Sequence, residues 1–247
     1  HFNRLTNYLV DHWTPAGGCK GCHDNTISLE GIKEEDLPTV FLAVFIEHPT
    51  NFIDYFFEGL TDLKYPKAKM DLFLHYADEA SKEAVETFMF EYGRQYNSHQ
   101  VYNPESKLND WTVRNRALEE CVDKSCQYLF AVDSDSLISN PDTLRLLIQA
   151  NRSVIAPMLT RPGKLWTNFW GALSPDGFYK RSDDYAEIVQ GKIRGQWSVP
   201  YVTQAFLIHG YRIPALLGGF IDGDMDSDMA ICKRMREQGI FMILDNQ

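Results

Sequence analysis

Tyr128, Leu129, Phe130, Ala131 and Val132 form an unbroken apolar run of strand length that stops on Asp133-Ser134-Asp135. A strand without polar alternation has to be covered on both faces, as an inner strand of a mainly parallel sheet is. In an extended chain, side chains at i and i+2 point the same way, so Asp133 and Asp135 are expected on one side. Two carboxylates placed like that repel each other unless a cation or a donor lies between them. Asn140 then reads as a helix cap and Pro141 as the first helical residue. The acid pair thus falls at the carboxyl end of a central strand, where open α/β sheets hold their ligands.

The chain on either side supports that sheet. Residues 39–47 (TVFLAVFIE) read as a first buried strand, rich in β-branched and aromatic side chains. Phe52, Phe56, Phe57, Leu60 and Leu63 recur at helical spacing, and residues 69–77 (KMDLFLHYA) form a second strand. A helix is expected over residues 81–96 and a short strand over residues 99–103. A third helix, capped by Asn109, carries Trp111, Val113, Leu118 and Cys121. Strands alternating with helices imply right-handed crossovers. The second half differs. SVIAPML, WTNFWGAL, WSVPYV and AFLIHG are strand-like pieces separated only by a helical turn over residues 183–190, and this half is expected to build a mixed sheet and an acceptor-side surface. A last helix over residues 225–238, stopped by Gly239, and a last strand over residues 241–244 complete the pattern.

Composition narrows the function. A formal net charge of -10 with no basic stripe argues against a nucleic-acid partner. No apolar run reaches the length of a membrane span, and no G-x-G-x-x-G or phosphate-binding loop follows a strand. The sequence starts at His1 rather than Met, as a processed or excised segment does. Cys19 and Cys22, and Cys121 and Cys126, are two close pairs expected as disulfides, with Cys232 a free thiol on an apolar helix face. CKGCH also matches a c-type haem attachment pattern, and Cys19, Cys22 and His23 supply three of the four ligands of a zinc site; a disulfide is the preferred reading. Asn151 heads an N-glycosylation sequon and is expected at the surface. Two units follow: a disulfide-bearing arm over residues 1–38 and a domain over residues 39–247.

An acid-x-acid after a buried strand has two readings. It is a turn, since Asp and Ser are ordinary turn residues. Or it holds a divalent cation against a nucleotide-sugar diphosphate, as in transferases of the GT-A type, oxygen ligands suiting Mg²⁺ or Mn²⁺. Other candidates carry the same duality. Arg114 and Asn115, on the helix before the acid pair, either meet the nucleotide or are helix-surface groups. Asp228, in a run with Asp222, Asp224 and Asp226, either serves as a catalytic base toward an acceptor hydroxyl or complements a helix N-terminus. Trp166, Phe169 and Trp170 either stack on a sugar or fill core. His209 is the nearest late histidine for a further metal ligand, or a satisfied strand-end residue.

SVIAPMLTRPGKLWTNFWGALSPDGFYKRSDDYAEIVQ, with WSVPYV, DSDMAICKRMREQGIF, TVFLAVFIEHPT and NYLVDHWTPAGGCKGC, resembles the procollagen lysyl hydroxylases, in their middle, accessory domain; collagen galactosyltransferases share less of it. The resemblance implies a GT-A-like fold, a mainly parallel Rossmann-like sheet flanked by helices. It implies the endoplasmic reticulum lumen, and as partners procollagen and the neighbouring glycosyltransferase and hydroxylase domains of the same chain, with room for a homodimer made through other domains. The parent's dioxygenase would use Fe²⁺, 2-oxoglutarate and ascorbate. Its His-x-acid metal pair is absent here, since none of the seven histidines has an acid two residues on. The accessory domain is expected to be non-catalytic. If it is instead a transferase, Mn²⁺ on Asp133 and Asp135, a UDP-sugar on Arg114 and Asn115 and Asp228 as base are implied.

Overall fold

The structure is a computed structural model that describes residues 26–161 and 163–247. The Cys19–Cys22 pairing, and with it most of the N-terminal arm, lies outside the described residues. The first half alternates as expected: β1 (Val40–Ile46), α1 (Ile53–Thr61), β2 (Met70–Tyr76), α2 (Lys82–Tyr92), β3 (Ser98–Tyr102), α3 (Asp110–Asp123), β4 (Tyr128–Asp133) and α4 (Thr143–Gln149). The second half adds β5 (Val154–Pro157), the two-residue strands β6 (Phe169–Trp170), β7 (Ala172–Leu173) and β8 (Tyr179–Lys180), and α5 (Tyr185–Val189). It closes with β9 (Gln196–Val199), β10 (Tyr201–Val202), β11 (Ala205–His209), α6 (Ser227–Glu237) and β12 (Met242–Asp245).

An eight-stranded sheet in the order β3-β2-β1-β4-β11-β5-β12-β9 forms the middle layer. β1 pairs in parallel with β2 and β4, β2 with β3, and β12 with β5. β11 runs against both β4 and β5, and β9 runs against β12. Every residue of β1 and β2 is buried. The two-residue period of a strand still sorts them. Val40, Leu42, Val44 and Ile46 face a layer built on α1, α2 and α4, with Phe56, Leu60, Phe88 and Leu147. Phe41, Ala43 and Phe45, with Leu129 and Ala131 of β4, face α3 and α6 through Val113, Ala117, Ile231 and Met235. Asp133 continues the Leu129–Ala131 face, so β4 delivers its carboxylate toward α3. That parity places the site.

Local chemistry accounts for the helix ends. Asn109 Oδ1 accepts from the Thr112 N–H at 3.1 Å and starts α3. At its other end the Cys121–Cys126 disulfide, with Cα atoms 5.2 Å apart, ties the helix to the start of β4. Three expectations shift. Asn140 Oδ1 accepts from the Asp142 N–H at 2.9 Å, which makes a local turn ahead of the helix; α4 therefore begins at Thr143 and leaves Pro141 outside it. The helix expected to reach residue 96 ends at Tyr92 and continues as a tighter 3-10 turn, Gly93–Gln95. The last helix starts at Ser227, capped by the Asp226 carboxylate, and Gly239 follows it at φ 66°. Cys232 is buried and free, its Sγ 3.2 Å from the Val202 carbonyl; burial pushes its thiol up to about 12. Within the described part of the arm, the Ile27 N–H bonds to the Gln149 carbonyl at 2.9 Å and Leu29 is buried against α4.

Candidate functional site

The two acids of the organising motif part company. β4 ends on Asp133, and a turn closed by the Ser136 N–H on the Asp133 carbonyl (2.9 Å) carries Ser134 and Asp135 away. The expectation of a shared side assumed that the extended chain ran on through Asp135, and it does not. Asp133 turns inward, its side chain 19% exposed. Asp135 is exposed and lines a groove of 1380 Å³, together with Leu137, Arg161, Trp166, Arg194 and Asp245.

Asp133 meets Arg114. The Arg114 Nη2 lies 3.0 Å from Asp133 Oδ1, and its Nε lies 2.5 Å from Asp110 Oδ1, one helical turn earlier on α3. The guanidinium carbon sits 4.5 Å from the centre of the Phe45 ring. Asp110 also accepts from the Ser227 hydroxyl at the start of α6. One residue on, Asp228 accepts from the Thr203 hydroxyl. Next to Thr203, Gln204 takes a positive φ of 67° and gives its carbonyl to the Asp133 N–H at 2.7 Å. Two acidic side chains thus contact one guanidinium that is almost wholly buried, and the charge of Asp228 also acts on it.

The balance of charge and burial sets the protonation. Burial works against the Arg114 charge, but Asp133, Asp228 and Asp110 outweigh it and hold its pKa well above the usual value. Burial pushes Asp133 up to about 7; Arg114 opposes the rise, and the charge of Asp228 adds to it. Burial raises Asp228 as well, against Arg114 and the Thr203 hydroxyl. The 3.0 Å approach of Arg114 to Asp133 is an ionic contact that is not aligned as a hydrogen bond. Asp133 Oδ1 thus has the guanidinium as its ionic partner, while Asp228 Oδ1 and Arg114 Nη1 have no hydrogen-bond partner.

These donors do not suit a divalent cation. The inward carboxylate already faces a guanidinium, Asp135 looks into the groove, and no three His, Cys, Asp or Glu side chains gather at metal-binding range among the described residues. His209 is no help. It pairs with Tyr128 at the start of β4, the opposite end from Asp133, and lies tilted against the Tyr128 ring and edge-on to the Tyr211 ring. Five residues of strand put it about 17 Å from the acid.

The other candidates take plain positions. Asn115 is buried, and its Oδ1 accepts from the Phe220 N–H at 3.2 Å, pinning the segment after β11 to α3. Phe169 is core, Trp170 is exposed, and Trp166 stands at the groove with the Arg161 guanidinium 4.5 Å over its ring. Asp222 pairs with Lys233 and Asp226 caps α6. Asn151 is half-buried, and the Ser153 hydroxyl of its sequon lies 3.0 Å from the Tyr211 hydroxyl. Sequence reasoning missed Asp110, Ser227 and Thr203. The four-residue spacing of Asp110 and Arg114 on one helix was the available signal.

Comparison with known proteins agrees with this architecture. The family described as glycosyltransferase family 25, N-terminal domain, matches residues 37–215. The human procollagen-lysine,2-oxoglutarate 5-dioxygenase 1 (Homo sapiens) is 45% identical over 99% of this chain and 34% of its own length. The rat multifunctional procollagen lysine hydroxylase and glycosyltransferase LH3 (Rattus norvegicus) is 42% identical over 99% of this chain and 33% of its own. The chain therefore spans about a third of the length of such relatives. Among solved structures, the mannosyltransferase PcManGT from Pyrobaculum calidifontis, in complex with GDP-Man and Mn²⁺, aligns with a TM-score of 0.57 at 12% identity, over 99% of this chain and 64% of that one. GalNAc-T7 with UDP, GalNAc and Mn²⁺ aligns at 0.59 and 13% identity, over 85% and 43%. At such identities these likenesses establish the fold, a GT-A glycosyltransferase fold with a mixed, mainly parallel sheet.

Proposed function

The chain belongs to glycosyltransferase family 25, and from that premise we propose that it is a catalytically silent, glycosyltransferase-like domain of a protein that modifies collagen lysines. The homology to procollagen lysyl hydroxylases supplies the collagen context, and relatives so named suggest the endoplasmic reticulum lumen as its place. No helix among the described residues is long and apolar enough to cross a membrane. Its partners in this reading are the glycosyltransferase and dioxygenase domains of one longer chain, and procollagen.

The observation that carries the silence is the ionic contact between Arg114 and Asp133. In a metal-using nucleotide-sugar site, a strand-end carboxylate holds the cation, and the cation offsets the diphosphate. Here the carboxylate is offered to an arginine instead. Asp110 and Asp133 already engage that arginine, so a diphosphate brought to the same place meets no free cation. Asn115 is engaged with backbone, and Asp228 with Thr203. Neither is poised toward an open acceptor.

The test is transfer. The 247-residue chain, given UDP-galactose or UDP-glucose with Mn²⁺ and a hydroxylysine-containing collagen peptide, is expected to release no UDP above the peptide-free blank. Transfer that disappears in Asp133→Asn or Asp135→Asn makes the chain a metal-dependent transferase and ends this reading.

A further inference from the structure

We propose that Asn151 is the acceptor of an N-linked glycan, an oligosaccharide joined through N-acetylglucosamine, carried at the end of the sheet opposite Asp133. The inference rests on the lumenal placement in the reading above, because the donor of such a glycan is found there, and it does not depend on the silence of the site.

Asn151-Arg152-Ser153 is the only N-x-S/T tripeptide in the sequence, and its middle residue is not proline. Such tripeptides arise by chance, so the fold has to supply the rest. The side chains of Asn97, Asn109, Asn115, Asn140, Asn168 and Asn246 are each tied into the protein by a hydrogen bond. Asn151 uses its backbone instead, its N–H donating to the Ile148 carbonyl at 3.0 Å. Among the described residues its side-chain amide has no partner, and it is not one of the buried polar atoms left unpaired, so it faces water. The residue stands just past α4 with a φ of 50°. Helices commonly end on such a left-handed residue, most often glycine, so the turn needs the conformation and not the amide.

The rest of the tripeptide anchors the turn. Arg152 Nε donates to Gln196 Oε1 at 2.9 Å, and the Ser153 hydroxyl accepts from Arg212 Nε at 3.1 Å and lies 3.0 Å from the Tyr211 hydroxyl. The Ser153 carbonyl accepts from the His209 N–H at 3.0 Å. A glycan on Asn151 disturbs none of these contacts. Its place in the sheet follows from strand direction. β11 runs against both β4 and β5, so β5 is parallel to β4, and Asn151, just before β5, lies at the amino end while Asp133 closes the carboxyl end. The glycan therefore leaves the Arg114 cluster clear and keeps neighbouring domains off the end it occupies. In the transfer, Asn151 Nδ2 bonds to the anomeric carbon of N-acetylglucosamine on a lipid diphosphate oligosaccharide. The carbon–oxygen bond to the diphosphate breaks, the lipid diphosphate leaves with the electron pair, and the amide gives up one proton.

The experiment places the 247-residue chain behind a secretion signal in a eukaryotic host and recovers it from lumen and medium. Its mass is read before and after peptide N-glycosidase, and the deamidated residue that the enzyme leaves is located by peptide mapping. More than half of the wild-type chains are expected to lose the mass of one glycan, with the mark at position 151. Asn151→Gly, which suits the left-handed turn, and Asn151→Gln are expected to lose none, and Ser153→Thr is expected to keep the glycan. Where a variant does not fold, the wild-type map decides by itself. A glycan on fewer than half of the wild-type chains, a mark elsewhere, or a loss that persists in Asn151→Gly overturns the proposal. Sugar transfer by the chain, or a parent protein found outside the secretory pathway, would end the reading above and leave the result at Asn151 standing, so the two failures are distinguishable.

Discussion

Replacing Asp133 by Asn should stabilise the protein, and by an amount that depends on pH. An acid beside an arginine ordinarily has a lowered pKa, but here burial outweighs the contact and moves the carboxyl from 3.8 to about 7. A group whose folded pKa is raised contributes stability that is complete below its unfolded pKa and is lost as pH rises through the folded one. Each pKa unit corresponds to about 1.4 kcal/mol, so the displacement amounts to about 4 kcal/mol. The side chain is 19% exposed, so solvent screening trims that figure only modestly. Asparagine keeps the size and one acceptor oxygen but does not ionise. The stability of Asp133→Asn minus that of the wild type should therefore climb by up to about 4 kcal/mol between about pH 4 and pH 7 and then level off. Urea unfolding of both proteins across that range, taken as a difference so that all other carboxylates cancel, reads it directly. A flat difference refutes the reasoning. So does one that falls as pH rises, because it would mean that the ion contact dominates burial.

Two further outcomes follow from the frame that positions the site. Cys121→Ser closes no five-residue loop at the end of α3 and is expected to cost about 2 kcal/mol, a drop of about 4–8 °C in melting temperature, with no further loss on adding reductant. Gly210→Ala would bring a Cβ to 2.1 Å from the Cys126 carbonyl oxygen, a backbone atom that cannot step aside; a loss of about 3 kcal/mol is expected in the same melt, and wild-type stability there would contradict the packing.

The first half of the fold was legible because β1, β2 and β4 are buried on both faces and their sequences are apolar apart from Asp71 and His75 in β2 and Asp133 at the end of β4. The Asn109 cap and the Gly239 stop were equally plain, since each acts within a few residues of its own chain. The site was only half legible. Asp133, Arg114 and Asp228 were named, yet their relation depends on contacts that no local pattern encodes. Asp110 meets Ser227 across 117 residues of sequence, and Asp228 meets Thr203 across 25. The separation of Asp133 from Asp135 turns on where β4 stops, and one residue of strand more or less reverses which way a side chain points. His209 stayed open between a late metal ligand and a strand-end residue because the direction of β11 could not be read. Running against β4, it carries His209 away from the acid instead of toward it.

The central claim is that a glycosyltransferase fold here has an arginine where a working site needs a metal ion. The most direct measurement is isothermal titration of UDP into the wild-type chain at saturating Mn²⁺, repeated on Asp133→Asn. A bound nucleotide at a hundredfold excess over its dissociation constant would also stabilise the fold by about 2.7 kcal/mol, so a melt run alongside is a second reading of the same event. The account predicts no heat above dilution and no shift in melting temperature for either protein. A saturable, Mn²⁺-dependent UDP isotherm in the wild type that vanishes in Asp133→Asn would contradict it.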